Sequence, residues 1–189
     1  NSLSLTGEGD ETKEDAKTYF HSINSTIALA NKNKWSIIRI MYSYLGKLTK
    51  DEIERHHYTM IDKRLFVEKT DDSLANAISK NRLSFEEIVR LAAVWNSTGW
   101  QPGVNVLASL FIQYKNLSKS YPDDSIRKEA RKYYLSMCGA INSAKTKNSK
   151  SLRFFYNGLG RLDENQNHYI VVDRQAFYNL TKSTINSTD

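Results

Sequence analysis

One cysteine, two prolines and eight glycines are all that this chain of 189 residues has by way of covalent or conformational punctuation. With Cys138 alone there is no internal disulfide and no cysteine-based zinc ribbon or cluster. Its setting in Tyr133-Tyr-Leu-Ser-Met-Cys138 reads as helical filler. So few helix breakers predict long helices. No apolar run approaches the roughly 20 residues that span a bilayer. The start, Asn1-Ser-Leu-Ser-Leu-Thr-Gly-Glu8, lacks the basic-then-apolar pattern of a secretory leader. The expectation is therefore a soluble cytoplasmic protein that does not associate with membranes. The Asn-x-Ser/Thr sequons at Asn24, Asn96, Asn116, Asn179 and Asn186 then reflect an Asn/Ser/Lys-rich composition, not glycosylation.

Catalytic signatures are also scarce. No Gly-x-x-x-x-Gly-Lys-Ser/Thr or Gly-x-Gly-x-x-Gly loop is present to cradle a phosphate, and Gly158-Leu-Gly160 is too short to serve. His56 and His57 are adjacent, so on a helix they diverge by about 100°. With His21 and His168 they form no metal-site spacing, and neither a metal nor a cofactor is expected. The carboxylates Asp10, Glu11, Glu14 and Asp15 read as the solvated start of a helix.

What is present is globular composition, 40% apolar and 25% charged, of a length that suits one domain. Residues 1–9 are expected to be a flexible lead-in and residues 10–189 a single all-α, multi-helix domain with no internal repeat. A first helix should run from about Asp10 to Asn31, with Tyr19, Phe20, Ile23, Ile27 and Ala30 at helical spacing. A second is expected from Trp35 to Leu45, stopped near Gly46. Thr49-Lys-Asp-Glu52 and Ser84-Phe-Glu-Glu87 are capping boxes that open helices, and Asp71 or Asp72 should open one ending at Ser79. Gly103–Asn116, Asp124–Asn142, Ser149–Leu159 and Asp173–Thr184 complete the helical set. Tyr169–Val172 is strand-like but too short for a sheet of its own. Leu91, Val94, Leu107, Phe111, Leu135, Ile141, Phe155, Val171 and Phe177 are expected in the core.

The formal net charge is +6, with a pI near 9.3, and it is unevenly spread. The first fifteen residues are acid-rich, whereas Lys145, Lys147, Lys150, Arg153, Arg161, Arg174 and Lys182 gather near the end beside Phe154, Phe155, Tyr156, Tyr169, Phe177 and Tyr178. Cations neutralise phosphates and rings stack on bases, so this mixture suits a nucleic-acid surface. It equally describes a solvated basic face over an aromatic core. Lys150 and Asp173 fall at two expected helix starts, where unpaired amides favour anions, and Asp173 has the geometry of an N-cap.

The motifs carry a resemblance. Leu91-Ala-Ala-Val94-Trp-Asn-Ser97 followed by Val104-Asn105 and Leu110-Phe111 resembles the helix–turn–helix of the helix-hairpin-helix DNA glycosylases. Lys150-Ser-Leu-Arg-Phe-Phe-Tyr-Asn157 resembles the second helix of that family's hairpin, and Val171-Val172-Asp173 its catalytic segment. Thr146 and Asn148 stand where the family's hairpin turn has glycines. The same line of motifs resembles a group of small phage-encoded proteins with a Lys-x-x-x-Phe-Tyr-Asn segment and a Val-Asp-Arg.

The resemblance covers Ser84 to about Leu180 and implies DNA as partner, in a base-excision or lyase reaction or in a binding role without chemistry. Asp173 would stabilise positive charge on the sugar or activate the attacking group, and Lys150 would be an amine nucleophile or a phosphate-binding lysine. Lys145, Lys147, Arg153 and Arg174 would hold phosphates. Trp100 and Gln101 would fill the space of a flipped base, with a core role for Trp100 as the alternative. A helical module that binds a protein partner remains the other reading. The carboxylate of Asp173 is expected to face the segment around Lys150.

Overall fold

The computed structural model describes residues 10–46, 58–162 and 168–186. These residues fold into α1 (Asp10–Lys32), β1 (Ile37–Met41), β2 (Tyr58–Asp62), α2 (Lys63–Ser79), α3 (Phe85–Thr98), α4 (Val104–Ser120), α5 (Asp124–Thr146), β3 (Ser151–Phe155), β4 (Tyr169–Asp173) and α6 (Arg174–Asn186). The described residues are mostly helical, as expected, but the fold is not all-α. Two two-stranded antiparallel sheets interrupt the helices. The expected lead-in at residues 1–9, the Thr49–Glu52 capping box and the His56-His57 pair lie outside the described residues.

The two segments read as short helices are where the reading fails. Trp35–Leu45 and Ser149–Leu159 each contain a strand and one turn of 3-10 helix, Tyr42–Tyr44 and Tyr156–Gly158. Alternation decides: Ile38 and Ile40, and Leu152 and Phe154, are buried while the residues between them are exposed, a period of two. β-branched and aromatic residues suit such a half-buried pleated surface. Tyr169–Asp173 does find a sheet, because β3 supplies its partner in the register Ser151↔Asp173 to Phe155↔Tyr169. Helix α2 starts at Lys63, with Asp62 Oδ1 accepting the Leu65 amide at 2.9 Å. Asp71, expected to open a helix, lies inside α2, where its Oδ2 accepts the Gly103 amide at 2.8 Å and so caps α4 from a distance. The Ser84 capping box forms as read, with Ser84 N to Glu87 Oε2 at 2.7 Å and Glu87 N to Ser84 Oγ at 3.2 Å.

The chain divides into two compact units, residues 1–67 with 97–100 and residues 68–96 with 101–189. The first buries Ile27 and Ala30 of α1 with Ile38 and Ile40 of β1, and sets Phe66 edge-on to Trp100 at 6.1 Å. The second centres on α4. Phe111 meets Tyr134 at 5.1 Å and Phe177 at 5.7 Å, Phe177 meets Phe154 at 5.3 Å, and Tyr114 meets Tyr133 at 5.4 Å. These separations fit tilted or edge-to-face aromatic packing. Leu91, Leu107, Phe111, Ile141 and Phe177 are buried as expected, and Val94 is half-buried. Leu135, Phe155 and Val171 are exposed; the last two belong to the outward face of the hairpin.

The expectation of no internal repeat is also overturned. Arg39-x-x-Tyr42-x-x-Leu45-Gly46-Lys47-Leu48 is matched by Arg153-x-x-Tyr156-x-x-Leu159-Gly160-Arg161-Leu162. His57-Tyr58-x-x-x-Asp62-Lys63-x-x-Phe66 is matched in turn by His168-Tyr169-x-x-x-Asp173-Arg174-x-x-Phe177. The local structures agree: Ile37 pairs with Asp62 as Ser151 pairs with Asp173, and Lys63 N donates to Ser36 O as Arg174 N donates to Lys150 O. Each copy is a long helix, a β-hairpin and a capped helix.

In the second unit this hairpin is clamped. Arg161 N donates to Val89 O at 2.8 Å, and the guanidinium grips Glu129 through Nε and Nη2 at 2.8 and 2.7 Å and Glu86 through Nη1 at 2.8 Å. The Arg161 guanidinium beside it holds the Glu129 carboxyl below the usual carboxylate range. Two outcomes follow for stability. A Cβ on Gly160 would stand 2.3 Å from the Val89 carbonyl oxygen, a backbone atom, whereas one on Gly46 meets nothing within 4 Å among the described residues. Gly160→Ala should therefore cost about 2 kcal/mol or more in denaturant unfolding, and Gly46→Ala less than about 0.5 kcal/mol. Burial pushes the Tyr156 hydroxyl up to about 12. Against an unfolded value near 10, its contribution is complete below about pH 10 and is lost as pH rises toward 12. Tyr156→Phe should flatten the fall in stability over that window in chemical denaturation.

Candidate nucleic-acid interface

The basic region is built on the end of α5. Ser149 N donates to Ala144 O at 2.9 Å and Asn148 N to Lys145 O at 3.0 Å, the paired bonds of a Schellman turn. The turn needs a left-handed residue, and Asn148 supplies it at φ 47°. Thr146 remains helical, with its Oγ1 donating to Asn142 O at 3.0 Å. Of the two positions compared with hairpin glycines, only Asn148 takes the left-handed conformation. Ser149 then turns the chain into β3 by hydrogen-bonding both the amide and the carbonyl of Ser151.

Alternation on the hairpin places Ser151, Arg153 and Phe155 of β3 and Tyr169, Val171 and Asp173 of β4 on one outward face. Arg153 lies over the Tyr169 ring at 5.2 Å, and Phe155 meets the same ring at 5.7 Å. This face and α5 enclose an open groove of about 500 Å³. Small residues of α5, Ser136, Gly139, Ala140 and Ser143, form its floor, and Lys147 and Arg153 line it. Between α5 and α6 is a smaller cleft of about 240 Å³, lined by Ile141, Lys145, Arg174, Gln175 and Tyr178. Lys145 Nζ stands 5.8 Å from the centre of the Tyr178 ring.

The expected site residues therefore divide. Lys147 and Arg153 share the groove; Lys145 and Arg174 share the cleft, where Arg174 Nη1 also reaches Ala144 O at 3.4 Å. Lys150 is exposed at the turn, and its carbonyl accepts the Arg174 amide at 2.9 Å. Asp173 caps α6, its Oδ1 accepting the Ala176 amide at 2.7 Å, and the residue across the ladder from it is Ser151. The backbones of Lys150 and Asp173 are thus neighbours at the hairpin base, but neither side chain lines the groove or the cleft. Gln101 is exposed; Trp100 is buried, 6% accessible, against Phe66. As placed, Trp100 presents no ring to solvent.

Among the described residues Lys145, Lys147, Lys150, Arg153 and Arg174 have no carboxylate within ion-pair distance. Some cations elsewhere are paired: Arg90 with Glu86, Arg127 and Lys128 with Asp124, Arg161 with Glu86 and Glu129. Arg161, counted by sequence among the free basic residues, is a structural clamp.

Sequence reasoning missed the first copy's version of this element. Arg39 lies over Tyr58 at 4.2 Å as Arg153 lies over Tyr169, and Lys34 takes the left-handed turn position at φ 57°. The repeated Arg-x-x-Tyr and His-Tyr-x-x-x-Asp motifs were the available signal. Among the described residues no group of three His, Cys, Asp or Glu is gathered to hold a metal ion, and no helix is long and apolar enough to cross a membrane. No protein family, curated protein or solved structure matches the chain.

The cap gives a prediction that separates structure from chemistry. Asp173→Ala removes the acceptor of the Ala176 amide and should cost about 1 kcal/mol in denaturant unfolding, while Asp173→Asn should cost a few tenths. Equal losses in both variants would show that the carboxylate charge, not the cap, is what matters.

Proposed function

We propose that this protein binds DNA through the hairpin and helix ends of its second repeat. One observation carries the reading: five cations, Lys145, Lys147, Lys150, Arg153 and Arg174, gather at the end of α5, the β3–β4 hairpin and the start of α6 without carboxylate partners among the described residues, with the Tyr169 and Tyr178 rings beside Arg153 and Lys145. Uncompensated cations on a protein surface repel one another, and a polyanion removes that repulsion while releasing its own counterions. Lys147 and Arg153 contact backbone phosphates in the α5–hairpin groove. Tyr169, Phe155 and Tyr178 supply stacking faces.

A role in binding without base excision is favoured over the glycosylase or lyase chemistry that the motif resemblance implies. Asp173 is exposed on the outward face, and its Oδ1 already accepts the Ala176 amide; neither observation encloses a reacting sugar. Lys150, also exposed, serves as a phosphate contact. Borohydride should therefore trap no covalent adduct between this protein and abasic DNA. A trapped adduct that disappears in Lys150→Ala would establish the lyase reading instead.

The binding itself is tested by salt. Each phosphate contact adds about 0.9 to the slope of log K against log salt on duplex DNA, so Lys147→Ala with Arg153→Ala should flatten it by nearly two. Arg90→Ala, which removes a cation already paired with Glu86, should leave the slope unchanged. Asp173→Asn should hold or slightly raise affinity, since it removes a negative charge near the phosphates. Wild-type protein with no salt-sensitive binding to single-stranded, duplex or abasic DNA would end the proposal and leave a protein-binding helical module.

A further inference from the structure

The groove of the second repeat has a counterpart in the first. Thr26, Leu29, Trp35, Ile37, Arg39, Met41 and Tyr44 enclose a groove of about 690 Å³ between α1 and the outward face of the β1–β2 hairpin. They occupy the repeat positions of Ala140, Ser143, Ser149, Ser151, Arg153, Phe155 and Gly158, all of which line the second groove. Both copies thus form the same recess from the same elements and keep the arginine, held in each over a tyrosine.

The lining differs in kind. Where the second groove has Ser143, Ser149 and Ser151, the first has Leu29, Trp35 and Ile37, with Met60 on the opposite strand. Trp35 is 50% exposed and Met60 60%, so the recess offers open apolar surface. Its lining is nonetheless cationic as well: Lys34 and Arg39 have no carboxylate partner among the described residues. An apolar peptide would gain from the lining but not from these cations. A nucleobase still joined to its phosphate uses both, because the ring stacks on indole while the phosphate meets Lys34 or Arg39.

We infer that the α1–hairpin groove is a second nucleic-acid site, which takes an unpaired base against Trp35 while Lys34 and Arg39 hold the attached phosphate. The inference rests on the DNA-binding reading of the second repeat. It adds a preference for single strands, since a base paired within a duplex has no free face for the indole.

Tryptophan fluorescence reads this site directly. Trp95 and Trp100 are buried, 3% and 6% accessible, so an oligothymidylate that stacks on an indole should quench Trp35. The expected result is saturable quenching by oligothymidylate and not by duplex of equal length. It should vanish in Trp35→Ala, with affinity for the single strand falling 5-fold to 100-fold and duplex affinity unchanged. Arg39→Ala should weaken single-strand binding while Trp35 is still present as reporter. Circular dichroism and a melting curve check that both variants fold. If wild-type protein binds single strands without quenching, or both variants bind them as wild type does, the second site is wrong while the DNA-binding reading stands. If no nucleic acid binds, both fail.

Discussion

The second hairpin is placed by one close approach. Gly160 lets the backbone lie against the Val89 carbonyl, and the next residue uses its amide to bond that same oxygen at 2.8 Å. The Arg161 side chain then ties the first turn of α3, through Glu86, to α5, through Glu129. Tyr114 on α4 donates to Leu159 O at 2.6 Å, and burial raises its hydroxyl well above the ordinary phenol value, so it stays a donor. A backbone contact, a two-carboxylate clamp and a buried phenol thus converge on Leu159, Gly160 and Arg161. Everything on the outward face of β3 and β4, including Arg153 and Tyr169, takes its direction from that anchor. The pairs themselves are surface-exposed and individually modest; their effect comes from acting on one short segment.

Long helices were legible because their signals are local and redundant. The Ser84 capping box and the helix start at Asp124 each act within a few residues, and the structure realises them, with Asp123 as the cap. The hairpins were not legible as strands. Leu152, Phe155, Tyr156 and Leu159 recur at three and four residues, a helical period, yet Phe154 is buried and Phe155 exposed. Five-residue strands followed by a 3-10 turn place apolar residues at spacings that fit either period, and pairing with a strand farther along the chain decides between them. Asp71 shows the same limit: its sequence context marks a helix start, but its partner, Gly103, is distant in the chain.

The candidate site was legible in part. Asp173 as a helix cap, the left-handed tolerance of Asn148 and the gathering of cations after Lys145 could all be read from residue chemistry. Which cations are free could not. Arg161 has the same charge as Arg153, but its carboxylates come from α3 and α5, far away in sequence. The internal repeat is present in the sequence and is obscured by segments of unequal length between the two halves of its motif, and by divergence at the groove positions.

That divergence has a physical logic. What the copies share is the frame: a Schellman turn with a left-handed residue, an antiparallel ladder in one register, an aspartate cap, and an arginine over a tyrosine. Apart from the cap and the cation–π pair, the frame is made by backbone groups, which are indifferent to the side chains lining the recess. Ser149 also hydrogen-bonds the start of β3, whereas the side chains of Leu29 and Ser143, and of Ile37 and Ser151, line the recess outside the backbone ladder. They were therefore free to become apolar in one copy and polar in the other at little cost to folding. Residues that meet the frame are not free in this way: Gly160 is fixed by the Val89 carbonyl, whereas Gly46 has no such neighbour among the described residues. The lining can therefore differ between the copies while the frame stays the same, because the atoms that hold the fold and those that line the groove are largely different atoms.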